Sequence, residues 1–126
     1  MDDALRTALS RSQVIELTTT GARTGLARRV EIMLHSFDGH LYISGMPNRA
    51  RKRSWLANIQ ANPAITIHLK GAVATDIAAT ARDITDPAER RLVLDKVARV
   101  WNRTDVGVML EFSPLIEVLI PGYAAG

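Results

Sequence analysis

There is no cysteine among the 126 residues of this chain. That excludes disulfides, thiolate-ligated zinc, iron–sulfur clusters and thiol nucleophiles, so any redox chemistry must come from a borrowed cofactor. Aromatic residues make up 5% of the chain, too few for the stacking platforms that bind single-stranded nucleic acids, and no nucleic-acid partner is expected. No apolar run reaches the roughly 18 residues of a membrane-spanning helix, so no integral membrane segment is expected either. The opening Met1-Asp2-Asp3-Ala4-Leu5 lacks the basic stretch and apolar core of a secretory signal, which makes the cytoplasm the expected compartment. His35, His40 and His68 have no metal-ligand spacing, and no metal site is expected. Phosphate-binding P-loops, dinucleotide Gly-x-Gly-x-x-Gly turns and Gly-x-Ser-x-Gly nucleophile elbows are missing as well.

What is present is an ordinary globular balance: 47% hydrophobic and 23% charged residues, with a formal charge of +3. A chain of this length builds one core, so residues 1–126 are expected to form a single domain, with 1–12 as an N-terminal helix or extension. Residues 13–20 are rich in β-branched side chains and end at Gly21, the pattern of a strand entering a turn. Val30, Ile32 and Leu34 alternate with Arg29, Glu31, Met33 and His35 across a second strand, residues 28–37. Asp38-Gly39 is a hairpin signal of the type that needs positive φ at both positions, and 40–44 returns as a third strand. Pro47-Asn48 then breaks the β pattern. Over residues 49–61 the period becomes helical, with Trp55, Leu56 and Ile59 on one face and Asn62-Pro63 as a stop. Residues 65–69 and 73–84 read as strands four and five. Asp86-Pro87-Ala88-Glu89 opens a helix whose apolar stripe is Val93, Val97, Val100 and Trp101. A last strand covers 115–120. Antiparallel hairpins dominate, and the strand–helix alternation of a doubly wound sheet is missing.

The most informative stretch is Asn48-Arg49-Ala50-Arg51-Lys52-Arg53. Its cations fall in the first turn of the expected helix, where the macrodipole and the unpaired N–H groups favour negative charge instead. An anion lying at that helix start would explain them, since free amides and guanidinium forks both suit phosphate. A solvated basic face, screened by water and salt, is the plainer alternative. Arg23, Arg28 and Arg29 form a second basic set. Arg28 and Arg29 are neighbours on a strand and point to opposite faces, so at most one can join a shared site.

Two segments carry a resemblance. Glu16-Leu17-Thr18-Thr19-Thr20-Gly21-Ala22-Arg23-Thr24-Gly25, followed by Arg28, resembles the opening motif of the deazaflavin-dependent nitroreductases, also described as quinone-reductase-like. Trp55-Leu56-Ala57-Asn58-Ile59-Gln60-Ala61-Asn62-Pro63 is similar to that family's Trp-x-x-Asn-Leu-x-Ala-Asn-Pro helix end. The separation is right, and together they cover most of the domain. The resemblance implies an α+β fold, an antiparallel FMN-binding-like split β-barrel with peripheral helices, and a cofactor that is coenzyme F420, with FMN as the alternative. It implies that Arg23 and Arg28 hold phosphate and carboxylates together with Arg49, Arg51 and Lys52. Ser44, Gly45, Asn48 and the start of the Trp55 helix would line the cofactor. The family's frequent Ser-Lys-Gly-Gly is replaced here by Gly45-Met46-Pro47-Asn48, which removes a phosphate-binding lysine that the cations of 49–53 are placed to replace. Its tyrosine-rich C-terminal substrate wall is reduced to Tyr123.

The activity so implied is hydride transfer from the reduced cofactor to a quinone, nitroaromatic or other unsaturated small-molecule acceptor, in a protein that pairs as a homodimer. No side chain stands out as catalytic. Solvent, or a nearby group such as His35, is left to supply the second proton. The rival expectation is a non-catalytic split barrel that carries a flavin or lipid-like ligand.

Overall fold

A computed structural model of the chain describes residues 1–48 and 54–123. In order, the elements are α1 (Asp3–Leu9), β1 (Gln13–Thr20), β2 (Ala27–Phe37), β3 (His40–Ser44), α2 (Ser54–Ala61), β4 (Ala64–Lys70), β5 (Ala74–Asp83), α3 (Pro87–Val100), α4 (Val106–Phe112) and β6 (Leu115–Leu119). The strands close into a barrel in the order β1-β2-β3-β6-β5-β4, and every neighbouring pair is antiparallel. Closure leaves no sheet edge to aggregate, because β1 pairs on one side with β2 and on the other with β4.

Period-two patterning decides which side chains fill the barrel. Ile15 and Leu17 of β1, Leu34 of β2, Leu41 and Ile43 of β3, and Ile65, Ile67 and Leu69 of β4 belong to one buried cluster, joined by Ile77, Ala79 and Ala81 of β5 and Ile116 and Val118 of β6. Each such Leu or Ile contributes about 1.5–3 kcal/mol by leaving water. The helix α1, capped by the Asp2 carboxylate accepting from the Leu5 N–H at 2.8 Å, lies beside the start of β1 and adds Leu9 to this cluster. At the other end of β1, α2 adds Trp55 and Ile59.

A second cluster lies outside the barrel. Tyr42 and Leu115, on paired strands, are covered by Val93, Leu94, Val97 and Ala98 of α3 and Met109 of α4. The start of α3 is the one the sequence announces: the Asp86 carboxylate accepts from the Glu89 N–H at 2.9 Å, with Pro87 in the first turn. Its stripe differs in one residue. Val100 is half exposed, and the helix ends at Trp101 with Asn102 in the left-handed region at φ 55°. Asp38 and Gly39, at φ 52° and 81°, form the expected tight turn between β2 and β3.

Candidate functional site

The β1–β2 hairpin ends in a loop, residues 21–26, that is closed by its own backbone. The Gly21 N–H donates to the Leu26 carbonyl at 2.7 Å, and the Gly25 N–H to the Gly21 carbonyl at 2.9 Å. A Cβ on Gly21 would lie 2.7 Å from Thr24 Oγ1 and 3.1 Å from the Leu26 carbonyl oxygen, so this crossing requires glycine. Between this loop and α2 opens a groove of about 770 Å³, lined among others by Arg23, Arg28, Ser54, Trp55 and Asn58. Its volume lies in the range of cofactor sites. Trp55 is largely buried in the barrel cluster yet forms part of this wall.

The arginines around the barrel differ in what they hold. Arg29, the neighbour of Arg28 on β2, pairs with Glu16 at 2.7 Å. Arg82 donates to Glu89 at 2.5 and 3.0 Å and to Glu117 at 2.7 Å, and these carboxylates hold its proton more tightly than usual. Arg90 spends its guanidinium on the carbonyls of Ile84, Leu110 and Ser113 at 3.0, 3.0 and 2.8 Å, locking α4 and the segment after β5 to α3. Arg103 is paired with Asp105. Arg23 and Arg28 make no ion pair or side-chain hydrogen bond among the described residues, and both face the groove. Two free guanidinium forks beside a tryptophan are a donor set for an anionic, ring-bearing ligand.

The other expected site residues are placed less uniformly. Ser44 is buried and its hydroxyl donates to the Pro114 carbonyl at 2.6 Å, so that side chain is committed to the residue just before β6. Gly45 follows at the end of β3 and is half-buried. The Asn48 N–H donates to the Phe112 carbonyl at 3.4 Å, and Asn48 lines a different groove, of about 460 Å³, with Leu56, Leu110, Phe112 and Ser113. Ser113 is buried in that wall and its Oγ has no hydrogen-bond partner. Arg49, Arg51 and Lys52, and with them the expected cationic helix start, lie outside the described residues. Arg23, Arg28 and Trp55 are thus brought together; Ser44 and Asn48 stand apart from them.

The histidines separate in a way that alternation alone does not reveal. His35 is fully buried, neither ring nitrogen has a hydrogen-bond partner, and its ring packs 5.6 Å from Phe37 and 5.4 Å from Trp101. Burial lowers its pKa to about 4. The sequence leaves His35, alongside solvent, as a source of the second proton; the structure makes it an apolar-packed ring sealed away from solvent, poorly placed to donate one. His40 Nδ1 lies 2.9 Å from Glu117. His68 stands between Thr18 Oγ1 and Asp76 Oδ1, both at 2.6 Å. A hydroxyl–imidazole–carboxylate row has the order of a nucleophile relay, but it lies on the outer face of the barrel and lines none of the grooves described.

Sequence reasoning assigned no role to Asn58, although it stands in the quoted helix motif. It is buried, with both ends of its amide bonded, and lines the groove. The signal that could have found it is the Trp55–Asn58 spacing, which puts both on one face of the helix.

The likeness to known proteins agrees with this geometry. An F420-H2 dependent reductase superposes with a TM-score of 0.64 at 21% identity, over 83% of this chain and 92% of that one. A conserved hypothetical protein from Mycobacterium tuberculosis gives 0.74 at 16% identity, over 96% and 81%. A third structure, described as a domain-swapped dimer, gives 0.63 at 22% identity, over 83% and 78%. At these identities the likeness is one of fold, the split barrel. No curated protein matches the chain. Residues 3–109 match the sequence family described as F420H(2)-dependent quinone reductase. With that match spanning most of the barrel, the chain belongs to the F420H2-dependent quinone reductase family, oxidoreductases whose cofactor is coenzyme F420.

Proposed function

We propose that the groove between the 21–26 loop and α2 is the F420 site and that the protein catalyses two-electron reduction of a quinone. The observation that carries this reading is the pair of uncommitted guanidinium groups, Arg23 and Arg28, in the same groove as Trp55. Reduced F420 supplies a hydride when bound. The protein's own work is to hold and orient. Arg23 and Arg28 neutralise phosphate and carboxylate groups of the cofactor, and Trp55 gives an apolar wall fixed by its packing in the barrel. Arg49, Arg51 and Lys52 immediately precede the groove residue Ser54 in sequence, and we assign them to the same anionic groups. Gly45 and Asn48, with the Ser44 backbone, are assigned to the loop that borders the cofactor.

The apolar wall of Leu56, Leu110 and Phe112 offers a planar acceptor a place beside that loop. Asp83, Arg90 and Glu111 also line this groove, Arg90 with its guanidinium already given to backbone carbonyls, and solvent is assigned as the proton source. For assembly we propose a homodimer, in keeping with the dimeric structural neighbour. Among the described residues no helix is long and apolar enough to cross a membrane.

Side-by-side fluorescence titrations with F420 and FMN test the cofactor assignment, with F420 expected to bind more tightly and increasingly weakly as salt rises. Tighter FMN binding would transfer the groove to FMN. Stopped-flow oxidation of bound F420H2 by menadione tests the activity; no oxidation above the rate in free solution would leave the barrel as a cofactor carrier.

A further inference from the structure

From residue 22 to residue 31 every position is exposed, so the tip of the β1–β2 hairpin has no packing of its own to hold it in place. Among the described residues, one hydrogen bond reaches the 21–26 loop from outside the hairpin. Asn58 Oδ1 accepts from the Ala22 N–H at 2.9 Å. The other end of the same amide donates from Nδ2 to Thr19 Oγ1 at 3.0 Å. Ala22 adjoins Arg23, and Thr19 is the β1 partner of Arg28 in the strand register. One side chain therefore ties down the loop backbone beside Arg23 and the β1 residue that faces Arg28 across the hairpin. It does so from α2, the helix that carries Trp55 to the opposite wall.

Only an amide does this without adding charge. It presents an acceptor to the backbone N–H and a donor to the hydroxyl, and both bonds form at a site that is 7% exposed, where unmade ones are costly. A leucine or alanine at this position would still pack in the helix and leave the loop closed only on itself. An aspartate would bring a negative charge to a wall that collects anions.

We infer that Asn58 is the positioning residue of the cofactor site: by clamping the hairpin tip to α2 it presets Arg23 and Arg28 at the spacing an anionic cofactor needs. The inference rests on the reading of this groove as the F420 site. Preorganisation of this kind raises affinity by removing the cost of ordering the loop at the moment of binding.

Two measurements on the full chain test it, each on Asn58→Ala and on the shape-preserving Thr19→Val. The first is amide hydrogen exchange without cofactor. The Ala22 amide is expected to exchange at least about tenfold faster in Asn58→Ala, while the β4 amides, bonded within the barrel, are unchanged. The second is F420 titration in a double-mutant cycle with the Arg23→Ala, Arg28→Ala pair. Asn58→Ala is expected to weaken binding about tenfold in the native background and less than about twofold once both arginines are gone, because it acts through them. Thr19→Val, which removes one of the two bonds, should show the same pattern at about threefold, and carries the test alone if Asn58→Ala does not fold. Unchanged Ala22 exchange overturns the clamp even with the cofactor site intact. Faster exchange with unchanged affinity, or equal losses in both backgrounds, overturns the positioning role. If the arginine pair itself leaves F420 binding unchanged, the reading of the groove fails, and this inference with it.

Discussion

At the hairpin end of the barrel, Arg23 and Arg28 face a groove with no partner among the described residues; on the flank covered by α3 and α4, Arg82, Arg90 and Arg103 are engaged. Both regions are cationic, yet they differ in what completes them. On the flank the chain supplies its own acceptors, backbone carbonyls for Arg90 and carboxylates for the others, and the charges there act as fasteners. At the hairpin end, among the described residues, no acceptor is supplied to Arg23 or Arg28. A charge that is exposed and unpaired contributes little to folding, so its place in a built groove is better explained by a ligand than by stability.

Substitutions should break the two regions in opposite ways. The largest effect is expected at Arg90. Arg90→Met keeps the apolar stem but deprives the carbonyls of Ile84, Leu110 and Ser113 of a donor. Unsatisfied carbonyls at a half-buried junction are expected to lower stability by about 3 kcal/mol or more, read by urea unfolding without cofactor.

His35 gives the flank a pH dependence of nearly the same size. Its folded pKa is depressed from 6.5 to about 4 by burial. Between those values the unfolded chain binds a proton that the folded one refuses, so the contribution is intact above about pH 6.5 and lost as the pH falls towards 4. The full span corresponds to about 3 kcal/mol. His35→Phe should flatten this part of the stability profile; a profile unchanged by that substitution would contradict the sealed, neutral histidine.

Gly21→Ala acts on the hairpin end. The new Cβ would press on the Leu26 carbonyl that the Gly21 N–H itself bonds. Loop distortion of about 1–2 kcal/mol is expected in urea unfolding, with weaker F420 binding alongside. Smallest of all should be the stability effect of Arg23→Ala with Arg28→Ala, within about 0.5 kcal/mol of the native chain.

Much of the barrel was legible in the sequence because its strands obey period two and its turns use the residues their dihedrals demand. The limits of β1 and β3 fall where the β-branched run and the hairpin signal place them, and Asp38-Gly39 and Asp86-Pro87 do what their side chains and φ values dictate. The helix α4 was not expected. Its Val-Gly-Val-Met-Leu-Glu-Phe sequence is apolar on most sides, holds a glycine at its second position and has no side-chain cap, so its helicity comes from docking on α3 and from Arg90 rather than from local signals. The same lack of tertiary information explains His35. Alternation sets it opposite Leu34 on its strand, but nothing local shows that Trp101 closes over that face. At the site, Arg23, Arg28 and Trp55 were legible in the two motifs. The clamp between them stayed hidden, because a hydrogen bond between residues 58 and 22 depends on barrel closure.

The separation of binding from folding at the hairpin end is tested most directly by one paired measurement on the Arg23→Ala, Arg28→Ala double variant: urea unfolding without cofactor, and F420 titration at low and high salt. The account expects native stability, F420 affinity reduced about 30-fold or more at low salt, and a shallower salt dependence than the native chain shows. Native affinity combined with lost stability would contradict it, and would make these two arginines fasteners like those of the flank.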